Sequence, residues 1–410
     1  MIKKIKVEQL RPGIFVHDFN CDWAGENIFI NQSLINSEKA IEIIRSWGIK
    51  EVYIDTGRGL NVKRALTAHE VQQDTDSNLN KLARKREKTA SPSVPLKEEV
   101  QIARKIKKEA VDIMQQTMAS VQEGKRVNVD SAFQLVQDMG ASISRNRDAL
   151  IMLTRIKKKD EYTLMHSISV SSLVLAFCNS CSLSFDMTIN MAMGALLHDI
   201  GKLQVPASIL NKATKLNREE FAVMKKHPTY SAEILKKSKG LPAEVFDIAQ
   251  HHHERYDGTG YPHGQKEDGI DFGSRVTSIC DVYDAITSVR CYRKSIDRVA
   301  GLRKLYEWSD YHFDKELTFE FIHCIGVYPV GTYVRLENEL SGVVTASTEN
   351  VLQPIVRLFY NNKNKTPMKI QEIDLSKIGI NIAGYDSPKK WGSDKMQAFR
   401  KYRNALNPLQ

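Results

Sequence analysis

Apolar and polar positions divide this chain into regimes of different period. From Lys3 to Val7 apolar and charged residues alternate as in a half-buried strand, and Leu10–Arg11–Pro12–Gly13 supplies turn chemistry. Ile14 to Val16 predicts a second short strand, Ser37 to Trp47 a helix stopped by Gly48, and Glu51 to Asp55 another strand. Residues 1–60 therefore read as a small N-terminal α/β domain. It carries no catalytic grouping, which assigns it a regulatory role. Residues 61–95 turn polar and end in Ser91–Pro92–Ser93–Val94–Pro95, a linker with a helical part from Leu79 to Lys88.

Beyond the linker the period becomes helical. Leu96 to Val121 predicts a long helix with a basic outer face and Asn128 to Arg155 another, so residues 96–144 read as connecting helices. Residues 145–325 are helical almost throughout and predict a bundle. After Gly326 alternation returns at Tyr333 to Leu336, Gly342 to Thr345 and Ile355 to Tyr360, giving residues 326–410 as a C-terminal β-containing extension. The fold class is mainly α, with a small α/β unit in front and a short β appendage behind. A length of 410 residues suits several cores, and a 42% hydrophobic content can fill them.

Composition narrows the partners. The net charge of +10 fits attraction of a phosphate-bearing ligand, although solvated helix faces such as Lys97 to Lys125 and Lys157–Lys158–Lys159 account for most of it. No basic motif interleaved with aromatics argues for nucleic acid. The most apolar run, Val170 to Phe177, is too short to span a bilayer, and no apolar leader follows Met1. A cytoplasmic location follows. Of the six cysteines, Cys178 and Cys181 have redox-motif spacing, but they lie within or at the end of an apolar helix and read as reduced packing thiols.

The chemistry concentrates in imidazoles. Of the 11 histidines, six fall between positions 166 and 253, three of them consecutive at His251–His252–His253. His166 shares an apolar stripe with Val170, Leu173 and Phe177; His198 and Asp199 follow the run Met193 to Leu197; His227 stands before Pro228 at a helix entrance. In a helix from Leu241 to Glu254, His252 falls at the centre of the apolar stripe, and spacing does not choose between His251 and His253 on its flanks. Asp281 and Asp284 share a further helix with Val276, Ile279, Tyr283 and Ile286, Asp284 lying nearer the apolar face. Imidazole and carboxylate donors without a thiolate cluster suit iron(II), manganese or zinc in open coordination. Their number exceeds one ion's needs, and two ions sharing a carboxylate serve in-line phosphoryl displacement.

Together these residues resemble the HD-GYP branch of the HD phosphohydrolases. The resemblance rests on His166–Ser167, His198–Asp199–Ile200–Gly201–Lys202, Pro206, His227–Pro228, His252–His253–Glu254 and Asp257–Gly258–Thr259–Gly260–Tyr261–Pro262. Asp281–Val282–Tyr283–Asp284–Ala285 and Arg290–Cys291–Tyr292–Arg293 complete it, in order over about 145 to 325. The N-terminal unit is similar to a small domain that often precedes such modules, and Gly326 to Gly331 to a common extension.

The resemblance implies a helical bundle and metal-dependent hydrolysis of a cyclic dinucleotide, cyclic di-GMP or 3′3′-cyclic GMP-AMP, to a linear dinucleotide and onward to mononucleotides. It implies His166, His198, Asp199, His227, His252, His253 and Asp281 as ligands of two divalent ions, iron or manganese, with Asp199 bridging. It thereby takes His253 over His251 and Asp281 over Asp284, leaving Asp284 a supporting role. Lys202 would assist the leaving oxygen, and Arg290 and Arg293 would clamp phosphates. Where some members place a glutamate for a third metal this chain has Tyr162, with Glu161 facing elsewhere, which implies two ions. The loop Gly258–Pro262 is a candidate contact for a protein partner, and the helix from Leu96 for a second copy in a homodimer. The rival reading is a low-turnover cyclic-dinucleotide receptor on the same fold.

Overall fold

The computed structural model describes residues 1–21, 32–85, 92–155, 162–212, 214–288, 296–407 and 409. The N-terminal alternation becomes β1 (Ile2–Lys6), β2 (Phe15–Asp18), β3 (Ser33–Leu34) and β4 (Glu51–Asp55), an antiparallel sheet in the order β1-β4-β2-β3. The register sets Ile5 opposite Val52, both buried. Helix α1 (Glu38–Ser46) brings Ile41 and Ile44 to this core; the Ser37 side chain caps it by accepting the Ala40 N–H.

The stretch expected to be a linker is largely a helix, α2 (Ala68–Lys85). Its apolar content is thin, but Val71 and Leu79 are buried, and Asp76 accepts a fork of two bonds from Arg303 at 2.5 and 2.7 Å. Two long helices follow, α3 (Leu96–Gln122) and α4 (Val129–Thr154), packed on each other. The apolar stripe of α3, from Leu96 through Val100, Ala103 and Ala110 to Met114, is buried within the chain itself. Where α4 kinks at Asn146, the side-chain amide donates to the Val94 carbonyl and accepts the Asp148 N–H.

The bundle continues with α5 (Tyr162–Ser180), α6 (Phe185–Leu197), α7 (Ala207–Leu210), α8 (Arg218–Met224), α9 (His227–Lys236), α10 (Ala243–His251), α11 (Phe272–Thr287), α12 (Arg298–Trp308) and α13 (Lys315–Ile325). Helix α5 is its axis. Every residue from Met165 to Cys178 is buried, with α4, α6, α11 and α13 around it. By length and apolarity it could cross a membrane, but 78% of its most apolar window is buried inside the protein, as befits a core helix. Burial pushes the Cys178 thiol up to about 12, which suits a packing role.

The C-terminal extension holds β5 (Tyr333–Leu336), β6 (Leu340–Ala346), β7 (Ile355–Asn361), β8 (Thr366–Asp374), α14 (Leu375–Ile378), β9 (Ile382–Tyr385) and α15 (Ser393–Leu406), with sheet order β8-β7-β6-β5-β9. Alternation divides the sheet. Val344, Val356 and Leu358 join the bundle core, while Val343, Phe359 and Tyr360 pack under α15. The sequence pattern missed β8 and α15, whose positions are mostly polar and exposed, and β9, which is only four residues long.

The N-terminal unit docks on the bundle. Trp308 Nε1 donates to the Asn20 carbonyl at 2.9 Å, Tyr53 Oη donates to Glu307 at 2.9 Å, and Lys4 lies between Glu51 and Glu307. At the tip after α1, Gly48 has φ +73, and a Cβ there would lie 2.7 Å from Thr259 Cγ2. Both the backbone conformation and the close approach demand glycine. Gly48→Ala should destabilise the N-terminal unit by about 1–2 kcal/mol, lowering its transition in scanning calorimetry; an unchanged transition would contradict this packing.

Candidate metal centre

Three histidines sit where helices stop. His198 follows the end of α6, His227 comes three residues after the end of α8, and His252 follows the end of α10. The last carbonyls of an α-helix have no partner within it. Here imidazoles supply one: Nδ1 of His198 donates to Ala195 O at 2.7 Å, that of His227 to Met224 O at 2.8 Å, and that of His252 to Ala249 O at 3.1 Å. A carbonyl only accepts, so each Nδ1 carries a proton and Nε2 is the nitrogen left to face the centre.

Those Nε2 atoms converge. Nε2 of His227 and of His252 lie 3.4 Å apart, and His253 completes a group whose ligand atoms all fall within 4.8 Å of one another. A second group of the same span is His166, His198 and Asp199. Asp199 stands between them: Oδ2 is 3.4 Å from His198 Nε2 and 3.9 Å from His166 Nε2, and Oδ1 is 3.3 Å from His227 Nε2 and 3.9 Å from His252 Nε2. Lys202 Nζ reaches Asp199 Oδ2 at 2.6 Å and retains 23% side-chain exposure, the wettest of these groups.

The two carboxylates of α11 divide their work. Asp281 Oδ1 lies 2.8 Å from His166 Nε2 at the edge of the second group, whereas Asp284 Oδ2 takes the opposite nitrogen, Nδ1, at 2.6 Å. Ser169 and Ser288 donate to the other oxygen of Asp284 at 2.6 and 3.1 Å. Asp284 thus fixes the ring of His166 from behind, as carboxylate partners of metal-ligating histidines do. Asp284 is the deeper carboxylate, as projection expects, and Asp281 the one that meets the nitrogen facing the centre.

Ionisation is tuned by burial and neighbouring charge. Burial, with the charges of His198 and His227, pushes His252 well below the usual imidazole range, and burial with His252 does the same to His253. Both are therefore neutral and fit to donate a lone pair. Burial opposes ionisation of Asp199, yet His198 and Lys202 beside it hold its carboxyl well below the carboxylate range. Burial likewise opposes the charge on His198, and the adjacent Asp199 outweighs it and raises its pKa. Asp281 is buried too, and its hydrogen bond with His166 keeps it below the usual range.

The expected helix Leu241 to Glu254 ends instead at His251, and this changes how the triple histidine is divided. His252 and His253 lie in the turn beyond, ring centroids 4.2 Å apart, and both face the centre; His251 turns toward Glu254 and His263. Tyr162 stacks on His166 with an interplanar angle of 9°. Glu161, Arg290 and Arg293 lie outside the described residues.

Two supports escaped sequence reasoning. Ser231 Oγ accepts the Gly201 N–H at 2.8 Å and donates to the His198 carbonyl at 2.6 Å, tying α9 to the turn after α6. Gly201 permits that approach, since a Cβ there would lie 2.1 Å from the His227 carbonyl oxygen. Tyr261, whose backbone N–H donates to the His253 carbonyl, stacks on the His253 ring at 4.8 Å and belongs to the N-terminal core cluster. The signal for Ser231 was its position one helical turn after His227; nothing local foretold the placement of Tyr261. Asp284→Asn should leave circular dichroism unchanged and weaken metal binding about 10–100-fold, read by titration calorimetry; unaltered affinity would remove Asp284 from its supporting role.

Comparison with known proteins agrees with this architecture. A family described as "HD domain" matches residues 143–317, and one described as "Domain of unknown function (DUF3391)" matches residues 2–132. A cyclic di-GMP phosphodiesterase of Pseudomonas aeruginosa is 35% identical over 400 residues, 95% of this chain and 94% of that protein. A 3′3′-cGAMP-specific phosphodiesterase of Vibrio cholerae is 37% identical over 36% of this chain and 34% of its own length. A cyclic di-GMP phosphodiesterase response regulator of Xanthomonas campestris is 35% identical over 44% and 48% respectively. With its near full-length relative, its HD-domain match and the His–Asp and Gly–Tyr–Pro motifs gathered around one centre, the chain belongs to the HD-GYP family.

Proposed function

We propose that this chain is a metal-dependent phosphodiesterase that opens a cyclic dinucleotide in second-messenger signalling. The observation that carries the reading is the pair of lone pairs at His227 Nε2 and His252 Nε2, 3.4 Å apart with both Nδ1 protons already committed. Burial and its neighbours keep His252 neutral, so its Nε2 lone pair is available to a cation seated beside His227. The donors fit two divalent ions. His166, His198 and Asp281 would hold one, His227, His252 and His253 the other, with Asp199 between them. Nitrogen and oxygen donors without thiolate suit iron or manganese.

Two such ions, when bound, would supply a lowered water pKa and positive charge against the phosphoryl oxygens for in-line displacement. The protein's own residues do the rest. Hydrolysis puts hydroxide on phosphorus and returns one proton to the departing 3′ oxygen; Lys202, partly exposed and already beside Asp199, donates that proton and regains it from solvent. Arg290 and Arg293 keep the role the family resemblance implies, gripping phosphate oxygens. The product is a linear dinucleotide, and mononucleotides where the second ester is also cut.

Cyclic di-GMP is the favoured substrate, because the relative aligned along nearly the whole chain acts on it while the cGAMP-specific one matches 36% of the chain. We divide the chain into a regulatory domain over 1–60, a connection through 61–95 and 96–144, the catalytic bundle over 145–325 and the extension over 326–410. The buried free thiols Cys178, Cys280 and Cys324 suit the reducing cytoplasm. The loop 258–262 packs on the N-terminal unit, Thr259 against Gly48 and Tyr261 in its core, and stays a candidate contact for a protein partner.

Manganese-loaded protein incubated with cyclic di-GMP and with cyclic GMP-AMP should release linear dinucleotide, fastest from cyclic di-GMP, and a chelator should stop it. His198→Ala should abolish turnover. Lys202→Met should lower kcat about 100-fold with metal content unchanged. Nucleotide binding by wild type and His198→Ala alike, with no product from either dinucleotide, would favour the receptor reading instead.

A further inference from the structure

Facing away from the centre lies a cluster that the proposed function does not use. His251 closes α10, Glu254 follows in the next turn, and His263 comes just after the Gly–Tyr–Pro loop. The Nδ1 atoms of His251 and His263 each lie 3.9 Å from Glu254 Oε1, and their ring centroids are 5.2 Å apart. His251 Nδ1 is buried and has no hydrogen-bond partner among the described residues. The Glu254 carboxylate is fully buried, accepting the backbone N–H of His263 at 2.7 Å and of Gln265 at 3.1 Å. A buried carboxylate flanked by two imidazoles, one of them unsatisfied, has the polarity of a cation site.

We propose that His251, Glu254 and His263 form a peripheral site for an imidazole-preferring divalent cation such as zinc. Bonds of about 2.0–2.2 Å to nitrogen and oxygen set tetrahedral ligand atoms roughly 3.4 Å apart. The two 3.9 Å separations therefore need to close by only about half an ångström. The His263 side chain, 50% exposed, is free to make that adjustment, and water completes the coordination. Glu254 and His263 bracket residues 255–262, so the ion ties together the two ends of the loop that carries Thr259 and Tyr261. The site is thus a clip on the segment through which the N-terminal unit meets the catalytic bundle.

The test counts metal. The full chain is equilibrated with a slight molar excess of zinc, gel-filtered and analysed by mass spectrometry of the elements, with and without His263→Ala. The same pair is compared in a His198→Ala/Asp199→Ala background, where the main centre is crippled. Wild type should hold one zinc more than His263→Ala, and the difference of one should persist in the crippled background. His263→Asn, which keeps a polar side chain at this exposed position, should lose the same ion. Equal zinc with and without His263 overturns the proposal. So does a difference that vanishes in the crippled background, because His263 would then act through the main centre.

Discussion

The geometry of the centre depends on one bond type used three times: an imidazole Nδ1–H given to a carbonyl that a helix end leaves without a partner. Each such bond satisfies an orphan acceptor and fixes a tautomer, so the same interaction that finishes the helix prepares the ligand. His198, His227 and His252 come from three different segments, yet each is oriented by its own local backbone. The centre can therefore be exact without a long chain of supporting contacts. His166 is the exception. It lies mid-helix, where carbonyls are already used, and it needs the carboxylate of Asp284 in their place.

That difference explains what was legible in the sequence. The mainly helical class, the early and late strands and the crowding of donors follow from period and residue type alone, and Glu51–Asp55 and Tyr333–Leu336 appear in the structure with the expected bounds. Helical projection works where a helix continues. It places His166 on a buried stripe, but at the triple histidine it reaches only His252, because α10 stops at His251 and the next two rings obey turn geometry. It also ranks Asp284 above Asp281 by depth, and the deeper carboxylate is the one that meets the far nitrogen of His166. The polar stretch taken for a linker becomes α2 because a few long-range contacts, the fork from Arg303 among them, stabilise a helix that local hydrophobicity does not announce.

The interface between the N-terminal unit and the bundle has no local signature at all. It is made by residues that look ordinary in sequence: Gly48, Asn20, Glu307 and Trp308. Its effect is to bring the N-terminal unit within one residue's width of the centre, since Tyr261 touches His253 on one face and shares the N-terminal core on the other.

Tyr261 also imposes an order on the birth of the molecule. Its place in the N-terminal core is made by a residue synthesised roughly 200 positions after β4, about 10–40 s later at ordinary rates of translation. Until then the emerging domain carries an incomplete apolar surface at the ribosome. The newborn chain thus holds open, on its first-made part, the seat that its catalytic loop will fill.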